Sequence, residues 1–234
     1  MSHIASELNK NPAIDVDKYG YKKFSDLITA IRLFDIKKQP NGVYVKLKNQ
    51  PSKPTQQPDV APKTDSTPQK PLTPDDVSQT PLILNGKINV YMYRGTGIDS
   101  VLWRLGDNKK VRHDGDMIFY GQTQSSDGNI ELDSNIVYEM FACQLSTQSS
   151  DIHRLVFSAS HESDVIDAPI KIIIEQDGRQ LFMGEFAPTN DTAKSAILLI
   201  LNRTDGGWQV VPRPQFVWHG LRELCMAFGV DVDD

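Results

Sequence analysis

The residues best placed to do chemistry in this 234-residue chain are lysines interleaved with tyrosines near its start. Lys18, Lys22 and Lys23 lie at or just before an expected helix start, and Tyr19 and Tyr21 alternate with them. Ammonium groups neutralise phosphates and aromatic rings stack on unpaired bases, so the pattern suits a single-stranded RNA contact. Lys37 and Lys38 precede a turn, and Lys46 and Lys48 follow it, extending the basic set. The competing reading makes the lysines a solvated surface and the two tyrosines core anchors.

Nothing comparable points to catalysis. Ser158-Ala-Ser-His161 places hydroxyls near an imidazole, with Glu162 and Asp164 close by. A strand would simply put Ser158 and Ser160 on one face, and there is no Gly-x-Ser-x-Gly elbow to hold a nucleophile. His3, His113, His153, His161 and His219 show neither His-x-x-x-His spacing nor pairing with cysteine, so no zinc site is expected. His219 is expected on a terminal helix beside Trp218, facing solvent or packing locally. Arg94-Gly-Thr-Gly97 is too short to cradle phosphates and reads as a turn between strands. The chain is therefore read as a non-enzyme with no small-molecule substrate.

The elements that must carry these residues fall into three stretches. Residues 1–48 hold nine basic and five acidic residues, a net of +4, which leaves −9 for the rest of a chain whose total is −5. A basic head on an acidic body suggests two modules with different partners. In the head, Phe24, Leu27, Ile28 and Ile31 recur at helical spacing, predicting a helix over Lys22–Arg32. Leu33–Lys37 and Gly42–Leu47 alternate like strands. Helix, strand, turn, strand is the wing half of a winged helix, a small α+β unit.

Eight of the fourteen prolines fall between Pro51 and Pro81. Residues 49–81 have no aromatic and few aliphatic side chains, too little apolar surface to offset the cost of ordering. They are read as a disordered, semi-rigid tether. Fully extended at about 3.1 Å per residue it would reach roughly 100 Å. The same proline pattern is the kind on which SH3-like protein partners dock.

Residues 82–234 change character. Strand signals recur at Ile88–Arg94, Val101–Leu105, Met117–Gly121, Ile136–Leu145, His153–Ser160, Ile170–Glu175, Gln180–Phe186, Ala196–Leu201 and Trp208–Val211. Asp177-Gly178 is a hairpin turn, and pairing across it sets Ile174 opposite Leu181 and Ile172 opposite Met183. Many short strands with few helices imply an all-β sandwich. Trp218, Leu221, Leu224, Cys225 and Phe228 add one C-terminal helix, stopped by Gly229. The longest apolar run, Ala196–Leu201, is six residues, far short of the ~20 that span a bilayer, so no membrane span is expected. The start, Met1-Ser-His-Ile-Ala-Ser-Glu, lacks the pattern of a secretory leader. Two cysteines, Cys143 and Cys225, are read as free thiols, which together with that start predicts a cytoplasmic protein.

Two stretches resemble known families. Asn11–Ile28, above all Tyr19-Gly-Tyr-Lys-Lys-Phe-Ser-Asp-Leu-Ile28, with Leu33-Phe-Asp-Ile36 and Gly42-Val-Tyr-Val45, resembles the OST-HTH or LOTUS domain. The match runs from Asn11 to Lys48, a partial winged helix. It implies RNA binding, or protein docking as in some animal members. Residues 82–234 resemble the TerD family of tellurium-resistance and stress proteins. The markers are Leu84-Asn-Gly-Lys87, Val101-Leu-Trp103, Ile118-Phe-Tyr120, Ser125-Ser-Asp-Gly-Asn-Ile130, Leu155-Val-Phe157, Gly207-Trp208, Gly220-Leu-Arg-Glu-Leu224 and Phe228-Gly-Val-Asp-Val232. That resemblance implies a two-sheet sandwich, a place in bacterial tellurite, phage and colicin resistance, and calcium held by acidic loops.

This chain departs from the family at those loops. Trp103 is followed by Arg-Leu-Gly-Asp107 where the family carries Asp-x-Asp-Ala-Ser, and the long glycine-acidic loop is missing. Asp107, Asp127, Asp133 and Asn135, with Glu139, are the residues left to form a degenerate calcium site. The reading that follows is a non-enzymatic stress-response adaptor with an RNA-binding head. The alternative is a calcium-binding stress protein whose head docks a protein partner.

Overall fold

The computed structural model describes the backbone of residues 34–39 and 42–47, and residues 70–135, 137–161 and 163–232 in full. The chain divides into two compact units, residues 1–65 and 66–234. In the first unit, β1 (Phe34–Gln39) and β2 (Gly42–Leu47) form an antiparallel hairpin. Phe34 pairs with Leu47 and Gln39 with Gly42. The expected helix over Lys22–Arg32 lies outside the described residues.

The second unit begins earlier than its strand pattern suggested. Leu72 bridges Phe182 in parallel: its N–H donates to the Leu181 carbonyl and its carbonyl accepts from Met183 N–H. A short helix, α1 (Pro74–Gln79), follows and buries Val77. Thr73 caps it, accepting from Asp76 N–H while the Asp76 carboxylate accepts from Thr73 N–H, and Pro74 occupies the first turn, where no donor is needed. Residues 70–81 therefore belong to the folded unit, not to the tether in which their proline content had placed them.

Eleven strands follow: β3 (Ile83–Leu84), β4 (Lys87–Tyr93), β5 (Ile98–Leu105), β6 (Met117–Ile118), β7 (Ile130–Ser134), β8 (Tyr138–Gln144), β9 (Arg154–His161), β10 (Ile170–Gln176), β11 (Arg179–Phe186), β12 (Ser195–Thr204) and β13 (Gly207–Val217). They build a five-stranded sheet, β11-β10-β4-β8-β7, and a six-stranded sheet, β3-β13-β12-β9-β5-β6. The paired strands run antiparallel, so each can bury alternate residues. Ile88, Val90 and Met92 of β4, Phe141 and Cys143 of β8, and Leu155, Phe157 and Ala159 of β9 meet in the core between the sheets. A second apolar layer lies outside the six-stranded sheet, where α2 (Leu221–Phe228) sets Leu224 and Cys225 against Val101, Trp103 and Leu105. Trp103 packs on Phe228 with ring centroids 4.9 Å apart, and its indole N–H donates to Ser158 Oγ at 2.8 Å.

Three expectations need correction. Asp177 and Gly178 do turn the β10–β11 hairpin, both at positive φ (51° and 75°) as the tight two-residue turn requires. The register is different, however. A bulge leaves Leu181 unpaired, so Ile174 faces Phe182 and Ile172 faces Gly184. Second, β13 runs through Pro212 and Pro214 to Val217, beyond the expected stop at Val211. Its outer edge pairs with β3 only at Trp208 and Gln209, so later prolines break no ladder on that side. Third, Trp218 and His219 precede α2 and are not on it. Gly220 is the N-cap residue, Glu223 Oε2 accepts its N–H at 3.1 Å, and Gly229 closes the helix at φ 83°. Trp218 stays 65% exposed and stacks on His219.

Candidate functional site

Of the proposed RNA-contacting residues, Lys18, Tyr19, Tyr21, Lys22 and Lys23 lie outside the described residues. Lys37 and Lys38 lie in β1, opposite Tyr44 and Val43 of the hairpin. The acidic loop residues can be followed in detail, and the structure does not bring them together. Asp107 is exposed in the turn after β5. Asp133 is not in a loop: it lies in β7, exposed and paired with Met140. Asn135 folds its Oδ1 back to accept the N–H groups of Val137 and Tyr138, at 2.8 and 3.1 Å. Asp127 closes the turn before β7, accepting from Ser125 Oγ at 2.8 Å and Asn129 N–H at 3.1 Å.

What Asp127 meets is an arginine. Residues of a strand alternate between its faces, and in β5 Val101, Trp103 and Leu105 face α2. Ser100, Leu102 and Arg104 therefore share the opposite face, which carries Leu102 into the core between the sheets. Arg104 is a fully buried cation at a core position (0% exposed). Burying a charge is costly unless it is paired, and this one has three oxygen partners. Its Nη2 lies 2.5 Å from Asp127 Oδ2, its Nε donates to Gln148 Oε1 at 3.0 Å, and its Nη1 lies 3.2 Å from Asp116 Oδ1. The last contact is an ion pair off the line of a hydrogen bond.

Asp116, also fully buried, is held from its other side by Arg112, whose Nε and Nη2 donate at 2.8 and 2.9 Å. The cluster thus sets two guanidinium groups against two carboxylates. Burial alone would raise the Asp127 pKa; the hydrogen bonds from Arg104, Ser125 and Asn129 outweigh it and hold the carboxyl well below the usual range. Asp116 hydrogen-bonding keeps Arg112 more firmly protonated than usual.

The remaining candidate, Glu139, repeats the arrangement on β8. Its Oε2 accepts from Arg94 Nε at 3.0 Å and Ser100 N–H at 2.8 Å, and its Oε1 accepts from Ser134 Oγ at 3.1 Å. Burial pushes its pKa up, but the Arg94 hydrogen bond and charge, with Ser100, bring it below its ordinary value. Calcium needs six to eight oxygen ligands. Among the described residues no group of three or more histidine, cysteine or acidic side chains gathers to hold a metal. The carboxylates that are buried already face arginine, so the site does not fit calcium.

Ser158 is likewise committed: it accepts from Trp103 and its hydroxyl lies 3.3 Å from the Val101 carbonyl. His161 Nδ1 accepts from the backbone N–H groups of Ser163 and Asp164, so no serine–histidine pair forms there. Sequence reasoning missed Arg104, Arg112 and Asp116. The signal was available: in the alternation of β5, Arg104 falls in the row of Leu102, where a charge demands a buried partner.

The comparisons with known proteins bear on both units. Residues 1–46 match the family model of the OST-HTH/LOTUS domain and residues 81–228 that of the TerD domain. Tellurium resistance protein TerA from Alcaligenes sp is 28% identical over 122 residues, 50% of this chain and 36% of that protein. Tellurium resistance protein TerD from Serratia marcescens is 25% identical over 154 residues, 57% of this chain and 78% of that protein. The chain thus spans about a third of the first relative and over three quarters of the second. The crystal structure of a telluride resistance protein (TerD) homologue from Streptomyces coelicolor A3(2) superposes with a TM-score of 0.46 at 11% identity, over 62% of this chain and 97% of that one. Among the described residues no helix is long and apolar enough to cross a membrane. With the TerD model matched over more than half of its length, this chain belongs to the TerD domain family.

Proposed function

We propose that this protein is a non-enzymatic stress-response adaptor of the tellurium-resistance type, whose head contacts RNA and whose sandwich serves a partner protein. The observation that carries the reading is the pairing of two family matches on one chain, OST-HTH/LOTUS at 1–46 and TerD at 81–228. The curated relatives, both tellurium resistance proteins, support the stress-response part. The basic head, +4 against −9 for the rest, supports the nucleic-acid part. A non-enzymatic role agrees with the way Ser158 and His161 spend their polar atoms within the fold.

In this reading Lys18, Lys22, Lys23, Lys37 and Lys38 neutralise phosphates while Tyr19 and Tyr21 stack on bases. Five such contacts to a single strand give a log–log salt slope near −3.5, at about −0.7 per contact. Affinity should then fall roughly a hundredfold between about 50 and 200 mM salt. The test is ultraviolet crosslinking of the full chain to total bacterial RNA, beside a full-length variant with Lys22→Glu and Lys23→Glu. Loss of crosslinking in the variant supports the assignment. Equal crosslinking removes these lysines from the site, and none in either protein makes the head a protein-docking module.

A further inference from the structure

We infer that Arg104 is a built-in replacement for a metal ion, a cation fixed on β5 that ties together the loops which an acidic cluster would otherwise need a divalent ion to join. The inference concerns the sandwich alone and does not depend on what the head binds.

Three observations carry it. The first is place: Arg104 is fully buried on the core-facing row of β5, where the neighbouring position is Leu102. The second is convergence. Oxygens from three separate segments meet one guanidinium: Asp116 from the turn before β6, Asp127 from the turn before β7, and Gln148 from the loop after β8. Gathering oxygen ligands from several loops onto one centre of positive charge is what a bound cation does for a fold. A guanidinium can do the same with directed N–H donors instead of a coordination shell. The third is charge closure. Arg104 and Arg112 match Asp116 and Asp127 one for one, so the four paired groups carry no net charge. Glu139, the other buried carboxylate, is closed in the same way by Arg94. A TerD-family sandwich built like this should fold and stay folded without calcium.

The test uses the full chain and calcium alone as the probe. Thermal unfolding is followed in chelator and in about 5 mM calcium chloride, with calorimetric titration of calcium alongside. A ligand that binds only the native state raises the melting temperature. The native protein should melt within about 1 °C of the same temperature in both buffers and give no binding heat. Arg104→Gln removes the internal cation but leaves Asp116, Asp127 and Gln148 in place. It should melt lower in chelator, and calcium should then raise it by about 5 °C, the shift expected of a ligand well above its dissociation constant. Adding Asp127→Asn to that variant should abolish the gain. A calcium-induced rise in the native protein overturns the inference, and so does an Arg104→Gln protein indifferent to calcium. If Arg104→Gln folds only in calcium, that supports it. If it folds in neither buffer, Arg104→Lys, which keeps the charge but not the forked donor geometry, should melt lower than the native protein and stay indifferent to calcium; a calcium-induced rise in it overturns the inference.

Discussion

The two carboxylates around Arg104 make unequal demands on the fold, and their neutralisation should show it. Asp116 is fully buried, ion-paired to Arg104 and doubly hydrogen-bonded by Arg112. Asp127 has a side chain 34% exposed, so water already screens part of its attraction to Arg104. Asp116→Asn keeps the shape but removes the charge between two guanidiniums, one of which, on Arg104, has no route to solvent. Breaking a buried pair from one side costs about 3–5 kcal/mol. Because the amide retains one acceptor and Arg112 can turn to water, the lower end, about 3 kcal/mol, is expected. Asp127→Asn should cost about 1 kcal/mol on the scale of exposed pairs. At about 2–4 °C per kcal/mol for a protein of this size, the melting temperatures should fall by about 6–12 °C and about 2–4 °C respectively. Thermal unfolding read by near-ultraviolet circular dichroism measures both. An Asp127→Asn loss equal to or larger than the Asp116→Asn loss would refute the reasoning, because burial would then not govern the cost.

Acid should undo the same contacts. Asp127 and Glu139 both have folded-state pKa values below the ordinary 3.8 and 4.5, so the stability they contribute is complete above those values and drains away as pH falls below them. The melting temperature should be flat near neutrality and drop below about pH 4.5, with Glu139→Gln showing a shallower acid limb; parallel limbs would exclude Glu139. The thiols offer a separate check. Burial raises the pKa of Cys143 far above the thiol norm and that of Cys225 less. Cys143 sits between the sheets and Cys225 on the buried face of α2, so iodoacetamide should label Cys225 first, through local opening of the helix, and Cys143 only on global unfolding. Mass spectrometry of tryptic peptides reads the order, and Cys143 reacting first would contradict it.

Most of the sandwich was legible because strand periodicity is a local property. The alternation in Lys87–Tyr93 or Tyr138–Gln144 follows from one buried face per strand, and it survives in any register. What escaped was set by something other than the pattern. The bulge at Leu181 shifts the hairpin after a correctly placed turn, and nothing in an alternating stretch announces it. Residues 70–81 look like a linker by composition, yet Thr73-Pro-Asp-Asp76 is a complete capping sequence, and Leu72 finds the free edge of β11. The acidic residues were grouped by family likeness, which says where a loop lies but not which cation faces it. That cation is visible only when Arg104 is counted along β5 from Leu102.

The parallel bridge at Leu72 has a mechanical side. Among the described residues, tension applied from the N-terminal side of the sandwich first meets Leu72, where two backbone hydrogen bonds join the edge of β11. Behind them stands the six-residue helix α1 with Val77 as its buried anchor, and then the short strand β3. The β12–β13 ladder, ten residues against eleven, lies deeper in the chain and is pulled later. Under load the segment 70–80 should peel first and lengthen the connection, leaving both sheets closed.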